Sequence, residues 1–114
     1  HCLKMISKGE APHVLAHRPF PEAQPYAEVG PIFIHADACA RAEEVPDIPE
    51  FLGSPQYIVR GYGKTDRIVY GTGAVVATPQ IPTAAEALLA REDIAYVHVR
   101  SATNNCYHCR IERV

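Results

Sequence analysis

Toward the C-terminal end of the chain, side chains capable of chemistry recur at close spacing: Tyr96, His98, Arg100, then Cys106, His108, Cys109 and Arg110. Imidazole titrates nearest neutral pH and moves protons. A thiolate is a nucleophile. A guanidinium grips a carboxylate or phosphate through two parallel hydrogen bonds. Arg60 and His35, further upstream, are candidates to join this set. Cys106-Tyr107-His108-Cys109 also reads C-x-x-C, which binds zinc or cycles between dithiol and disulfide when it sits on a turn or a helix start.

What such groups can do depends on the elements that hold them. Ile94 to Arg100 and Cys106 to Arg113 alternate apolar with polar residues around a turn at 101–105, the pattern of an antiparallel hairpin. If Arg100 pairs with Cys106, Val99 meets Tyr107, Val97 meets Cys109 and Ala95 meets Ile111. These six form an apolar face. Tyr96, His98, Arg100, Cys106, His108, Arg110 and Glu112 then share the other face, with His98 directly opposite His108. Two facing imidazoles repel when both are charged, so at least one is expected to titrate low. Within a strand, Cys106 and Cys109 point to opposite faces. The C-x-x-C therefore predicts no zinc site and no disulfide, and no metal or cofactor is expected.

Upstream, Gly30-Pro31 introduces Ile32-Phe33-Ile34-His35, read as an interior strand apolar on both faces, with His35 emerging at its end. Residues 2–7 and 13–17 are further strand candidates. In a strand His13 and His17 stand about 13 Å apart, too far to share a metal. Prolines dominate the connection over 19–31. Short helices are expected from Asp37 to Glu44 and from Asp47 to Gly53. Tyr57–Tyr62 and Arg67–Tyr70 flank a four-residue loop and read as a second hairpin. Thr83-Ala84-Ala85-Glu86 is a capping-box pattern, predicting a helix from Thr83 to about Arg91 that buries Ala85, Leu88 and Leu89. The fold class is therefore α+β, an antiparallel or mixed sheet of about five to seven strands with one clear helix and one or two short ones.

A length of 114 residues suits a single domain over 1–114 with a core of its own. The chain begins at His1 rather than Met, so a segment of a longer gene product is expected to precede it. Four cysteines without a secretory leader read as free thiols. A net charge of −2 with no basic block argues against nucleic acid. No apolar run reaches the roughly 20 residues of a membrane span. Nucleotide-binding loops and the serine-hydrolase elbow are absent, and Gly61-Tyr62-Gly63 falls in a hairpin rather than between strand and helix.

Several words of the sequence, in order, resemble a known family. They are Cys2, Gly9-Glu10, Pro19-Phe20, PYAEVGPIFIH from Pro25 to His35, RGY at 60–62, RIV at 67–69, YVHVR at 96–100 and the Cys106…RIER ending. The family is the uncharacterised bacterial group designated domain of unknown function 1203. The resemblance implies one intact domain in a bacterial cytoplasmic setting and carries no activity. The residues themselves lead to a small-molecule or peptide binding domain. One alternative is a small enzyme using His98, His108 and Cys106, with Arg60 and Arg100 holding an anionic substrate. Another is a homo-oligomeric interaction module using a sheet edge.

Overall fold

A computed structural model describes residues 1–114. Strands β1 (Pro12–His17) and β2 (Gly30–His35) are followed by β3 (Gln56–Tyr62) and β4 (Ala74–Ala77). A 3-10 turn (Thr78–Gln80) runs into helix α1 (Ile81–Leu89), and β5 (Tyr96–Ser101) and β6 (Tyr107–Glu112) close the chain. The class is α+β with six antiparallel strands. They divide into a four-stranded sheet, ordered β4-β3-β5-β6, and a separate β1-β2 ribbon. No single sheet reaches the expected five strands. The radius of gyration is 14.2 Å, above the about 13 Å of a fully compact chain of this length, because the ribbon stands beside the sheet.

The four-stranded sheet holds the core. β5 is interior, and Tyr96 to Arg100 are buried along its whole length. On one face Tyr57, Val59, Val97, Val99 and Cys109 meet Ile81, Leu52 and Ile94, and Ala85 of α1 is buried on the same side. On the other face Tyr62 and Tyr96 meet Phe20, which arrives from the connection between β1 and β2. Ala95, expected on the apolar face with Val97 and Val99, packs with this second group.

Helix α1 begins two residues before the expected start. Pro82 is tolerated in its first turn, where no intrahelical N–H is needed. The preceding 3-10 turn feeds directly into it, and the Ile81 N–H is satisfied by the Thr78 carbonyl. Gln80 occupies the cap position without a side-chain bond. The Thr83–Glu86 capping box therefore does not form, because the helix was nucleated upstream of it.

The expected helices at 37–44 and 47–53 are also absent. Such short segments are poor at nucleating. Instead, the Ala42 N–H bonds the His1 carbonyl (3.0 Å), and Leu52 closes a turn onto Pro49 (3.1 Å). Residues 2–7 form no strand, and Leu3 has φ 54°.

The partner of β3 also differs from expectation. Gly63–Asp66 does turn the chain, and Gly63 N–H bonds the Arg67 carbonyl (3.0 Å). Pairing then stops after the Tyr62–Ile68 bridge. Thr72 is buried, and its hydroxyl accepts from Gly61 N–H (3.0 Å) and donates to the Val69 carbonyl (2.6 Å). The chain leaves through Gly71 at φ 82°, and β4 becomes the strand that lies against Gln56–Val59. No helix is long and apolar enough to cross a membrane.

Candidate functional site

The β5–β6 register decides which reactive side chains share a face. Val97 pairs with Ile111 and Val99 with Cys109, two residues away from the expected alignment. A shift of two keeps every side chain on its face. Beyond Val99 a bulge sets Tyr107 and His108 of β6 against Arg100 alone. That extra residue reverses the parity of the strand's beginning. Tyr107 joins the His98 face, with ring centroids 4.8 Å apart. His108 turns to the helix side, against Phe51 (5.7 Å) and Tyr57 (5.4 Å). The expected His98–His108 pair therefore does not exist, and the two imidazoles lie on opposite faces of the sheet.

The structure still gathers Tyr96, His98, Arg100, Arg110 and Arg60 on one face, since Arg60 pairs with His98 and Arg110 with the same residue from the other side. That face is not open to water along β5, however. His98 is 0% exposed and Arg100 1%. His98 sits among Phe20 (5.3 Å), Tyr62 (4.5 Å), Tyr96 (5.1 Å) and Tyr107. Burial first, then Arg100, Arg110 and Arg60, push its pKa down to about 3. The low titration expected from a facing histidine thus has another cause. Burial and then Arg100 also lower His108. Because a guanidinium can only donate, His98 Nδ1, 3.4 Å from an Arg100 nitrogen, is the acceptor. The proton then resides on Nε2, which has no partner.

Tyr96 stacks on Tyr62 at 5.3 Å and 6° and donates its hydroxyl hydrogen bond to Asp66 (2.8 Å). Burial, then that bond, push its phenol pKa up. The Arg110 guanidinium lies 3.6 Å over the Tyr96 ring and pairs with Glu112. Arg60 donates twice to the Tyr62 hydroxyl, at 3.0 and 2.7 Å. These arginines and tyrosines satisfy one another.

Arg100 is the member with an outlet. Its Nε donates to the side chain (2.8 Å) and carbonyl (3.1 Å) of Asn105, a turn residue at φ 57°. Its far end pairs with Glu28, which comes from the β1–β2 connection and is 36% exposed. There the ribbon and the β5–β6 turn leave a cleft of about 240 Å³, lined by Arg100, Glu28, His17, Asn104, Cys106 and Tyr107 among others. Cys106 thus faces the cleft while Cys109 is in the core, so the C-x-x-C is split between faces.

His35 belongs elsewhere. It ends β2, pairs with Glu10 at 3.7 Å and has a buried Nε2 without a partner. It borders an open concavity of about 380 Å³ with His1, His13, Asp37 and Cys39. No three His, Cys, Asp or Glu side chains are placed to hold a metal ion. Sequence reasoning missed Glu28, Asn105, His17, Phe20 and Tyr62. No local signal marks Glu28: it lies 72 residues from Arg100, and the burial that makes a carboxylate necessary there was not expected.

A four-stranded antiparallel sheet with one covering helix, a detached ribbon and a polar cleft between ribbon and sheet define the class of this domain. Residues 1–113 match the family described as "Protein of unknown function (DUF1203)", and the chain belongs to it. No curated protein and no solved structure matches the chain.

Proposed function

We propose that this is a binding domain for a small carboxylate-bearing molecule, held in the cleft between ribbon and sheet with Arg100 as the recognising group. The observation that carries the reading is the state of Arg100. It is buried, gripped on one edge by Asn105, and met at the cleft by a single carboxylate from a separate segment. A guanidinium fixed in this way is preorganised for a planar anion. Glu28 occupies the position a ligand carboxylate would take and is exposed enough to swing aside.

The size of the cleft sets the class of ligand. About 240 Å³ falls below the roughly 300–1,000 Å³ of pockets for drug-sized ligands, so a short mono- or dicarboxylate fits better than a peptide. The rival enzyme reading is weakened because His98 stays neutral and enclosed at ordinary pH. His108 faces away from it.

Titration calorimetry with short mono- and dicarboxylates tests this. Binding is expected for at least one, tightened about tenfold by Glu28→Gln, whose neutral amide competes less for Arg100. Cys106→Phe, which fills the cleft, should abolish it. No binding at millimolar concentration, or weaker binding by Glu28→Gln in a folded protein, would overturn the assignment.

A further inference from the structure

At the opposite end of the ribbon from the cleft, two cysteines distant in sequence are brought together. The segment at residues 1–2 lies along the segment at 39–42. The Ala42 N–H bonds the His1 carbonyl (3.0 Å), and the His1 ring Nε2 meets the Cys39 carbonyl (3.0 Å). These contacts seat Cys2 and Cys39 close enough for their side chains to interact directly. Cys2 is buried, and Cys39 is half-buried at the edge of the open concavity. Both are free thiols.

We propose that Cys2 and Cys39 form an oxidation-responsive pair, in which a peroxide joins the two sulfurs and fastens residues 1–2 to the loop after β2. The thiols influence one another's ionisation. Burial raises Cys2, but the Lys4 backbone and the Cys39 thiol outweigh it, so its net shift is down. Cys39 is pushed up, first by its interaction with Cys2 and then by burial. One sulfur, as its thiolate, displaces hydroxide from hydrogen peroxide and becomes a sulfenic acid, and the hydroxide leaves as water after taking a proton. The other sulfur then attacks the sulfenic sulfur, expelling a second water. Two thiols lose two electrons and two protons, and one peroxide becomes two waters.

The other two cysteines cannot do this together. Burial pushes the Cys109 thiol up to about 12, and it lies in the core on the helix side. Cys106 lies in the cleft on the other face. The sequence reading treated all four thiols alike, because nothing in the spacing of Cys2 and Cys39 shows that the chain brings them together.

The 114-residue chain treated with a small excess of hydrogen peroxide, then alkylated and digested without reductant, tests the proposal. The expected result is loss of the mass of two hydrogens and a linked peptide pair carrying Cys2 and Cys39. It should form at least about tenfold faster than any oxidation of Cys109 and revert with dithiothreitol. Cys106→Ser should leave the link unchanged, and Cys39→Ser should remove it. Should Cys39→Ser not fold, differential alkylation of the unsubstituted chain gives the same answer: Cys2 and Cys39 must lose reactivity together. Separate sulfinic acids on the two residues, or a link through Cys106, would overturn it.

Discussion

In the ribbon, Val14 and Phe33 pair across the two strands and are 59% and 66% exposed. In the sheet, His98 and Arg100 stand two residues apart on β5 and are almost wholly enclosed. The apolar pair is wet and the polar pair is dry. What separates them is cover rather than side-chain type. Over β5, Phe20 and Glu28 descend from the β1–β2 connection and supply aromatic surface and a countercharge. Nothing supplies an equivalent layer over Phe33. A strand's own pattern states what its faces tolerate, and the connections decide which face is closed.

Acid should expose this contrast most strongly. A histidine with a pKa of about 3 when folded and about 6.5 when unfolded contributes stability that is complete above pH 6.5. That contribution is lost as pH falls toward 3, at up to about 1.4 kcal/mol per unit, or roughly 5 kcal/mol in all. His108 is lowered as well and acts in the same direction. Arg60, Arg100 and Arg110 are the cations around His98, and Glu28 beside Arg100, Asp66 beside Tyr96 and Glu112 beside Arg110 are the carboxylates of the same layer. Denaturant unfolding measured from about pH 7.5 to pH 4 should show the slope, and His98→Phe should remove about one proton from it. An unchanged slope in that variant would place His98 in water.

Next in size is Arg100→Ala, which leaves a cavity and removes the partner of both Asn105 and Glu28. Because Glu28 is partly solvated, the expected loss is nearer 3 than 5 kcal/mol, read from the shift in urea midpoint. Gly61→Ala should follow at about 1–3 kcal/mol. A Cβ there would stand 2.7 Å from Ile94 Cδ1 and 3.3 Å from Thr72 Oγ1, inside a packed layer. Ile94→Val in the same chain should recover part of that loss. Smallest is the ribbon. Phe33→Ser should change stability by no more than about 0.5 kcal/mol, as should Thr83→Ala, whose hydroxyl caps nothing. A cost of 2 kcal/mol or more for Phe33→Ser would mean that the ribbon face is covered after all.

Some of this was legible in the sequence for physical reasons. The β5–β6 hairpin, the α+β class and the helix follow from periodicity, which is local. The faces of Val97, Val99, Cys109 and Ile111 followed from alternation and survived an error of two in register, because the pleat repeats every two residues. The bulge broke that reasoning at Tyr107 and His108, since nothing local marks where one residue will be left unpaired. Ile32 to Ile34 was read as an interior strand because apolar residues lie on both sides of it. Its single partner is β1, and that pairing depends on chain geometry far from Ile32. Of the residues named in advance, Tyr96, Arg60 and Arg110 do gather around His98 and Arg100. His35 and His108 do not. Glu28, the partner that gives Arg100 its meaning, lies 72 positions away, and a contact at that separation leaves no trace in pattern.

The bulge has an evolutionary consequence. Losing one residue from the middle of a strand is normally among the worst changes a sheet can suffer, because every side chain beyond the gap is inverted. At His108 the reverse holds. With that residue removed, Tyr107 would still oppose Arg100, Cys109 would still oppose Val99, and the ladder between them would become regular. The ring packing against Phe51 and Tyr57 is what would disappear. This strand therefore holds a length polymorphism in reserve, and relatives one residue shorter at this point can keep the same two faces.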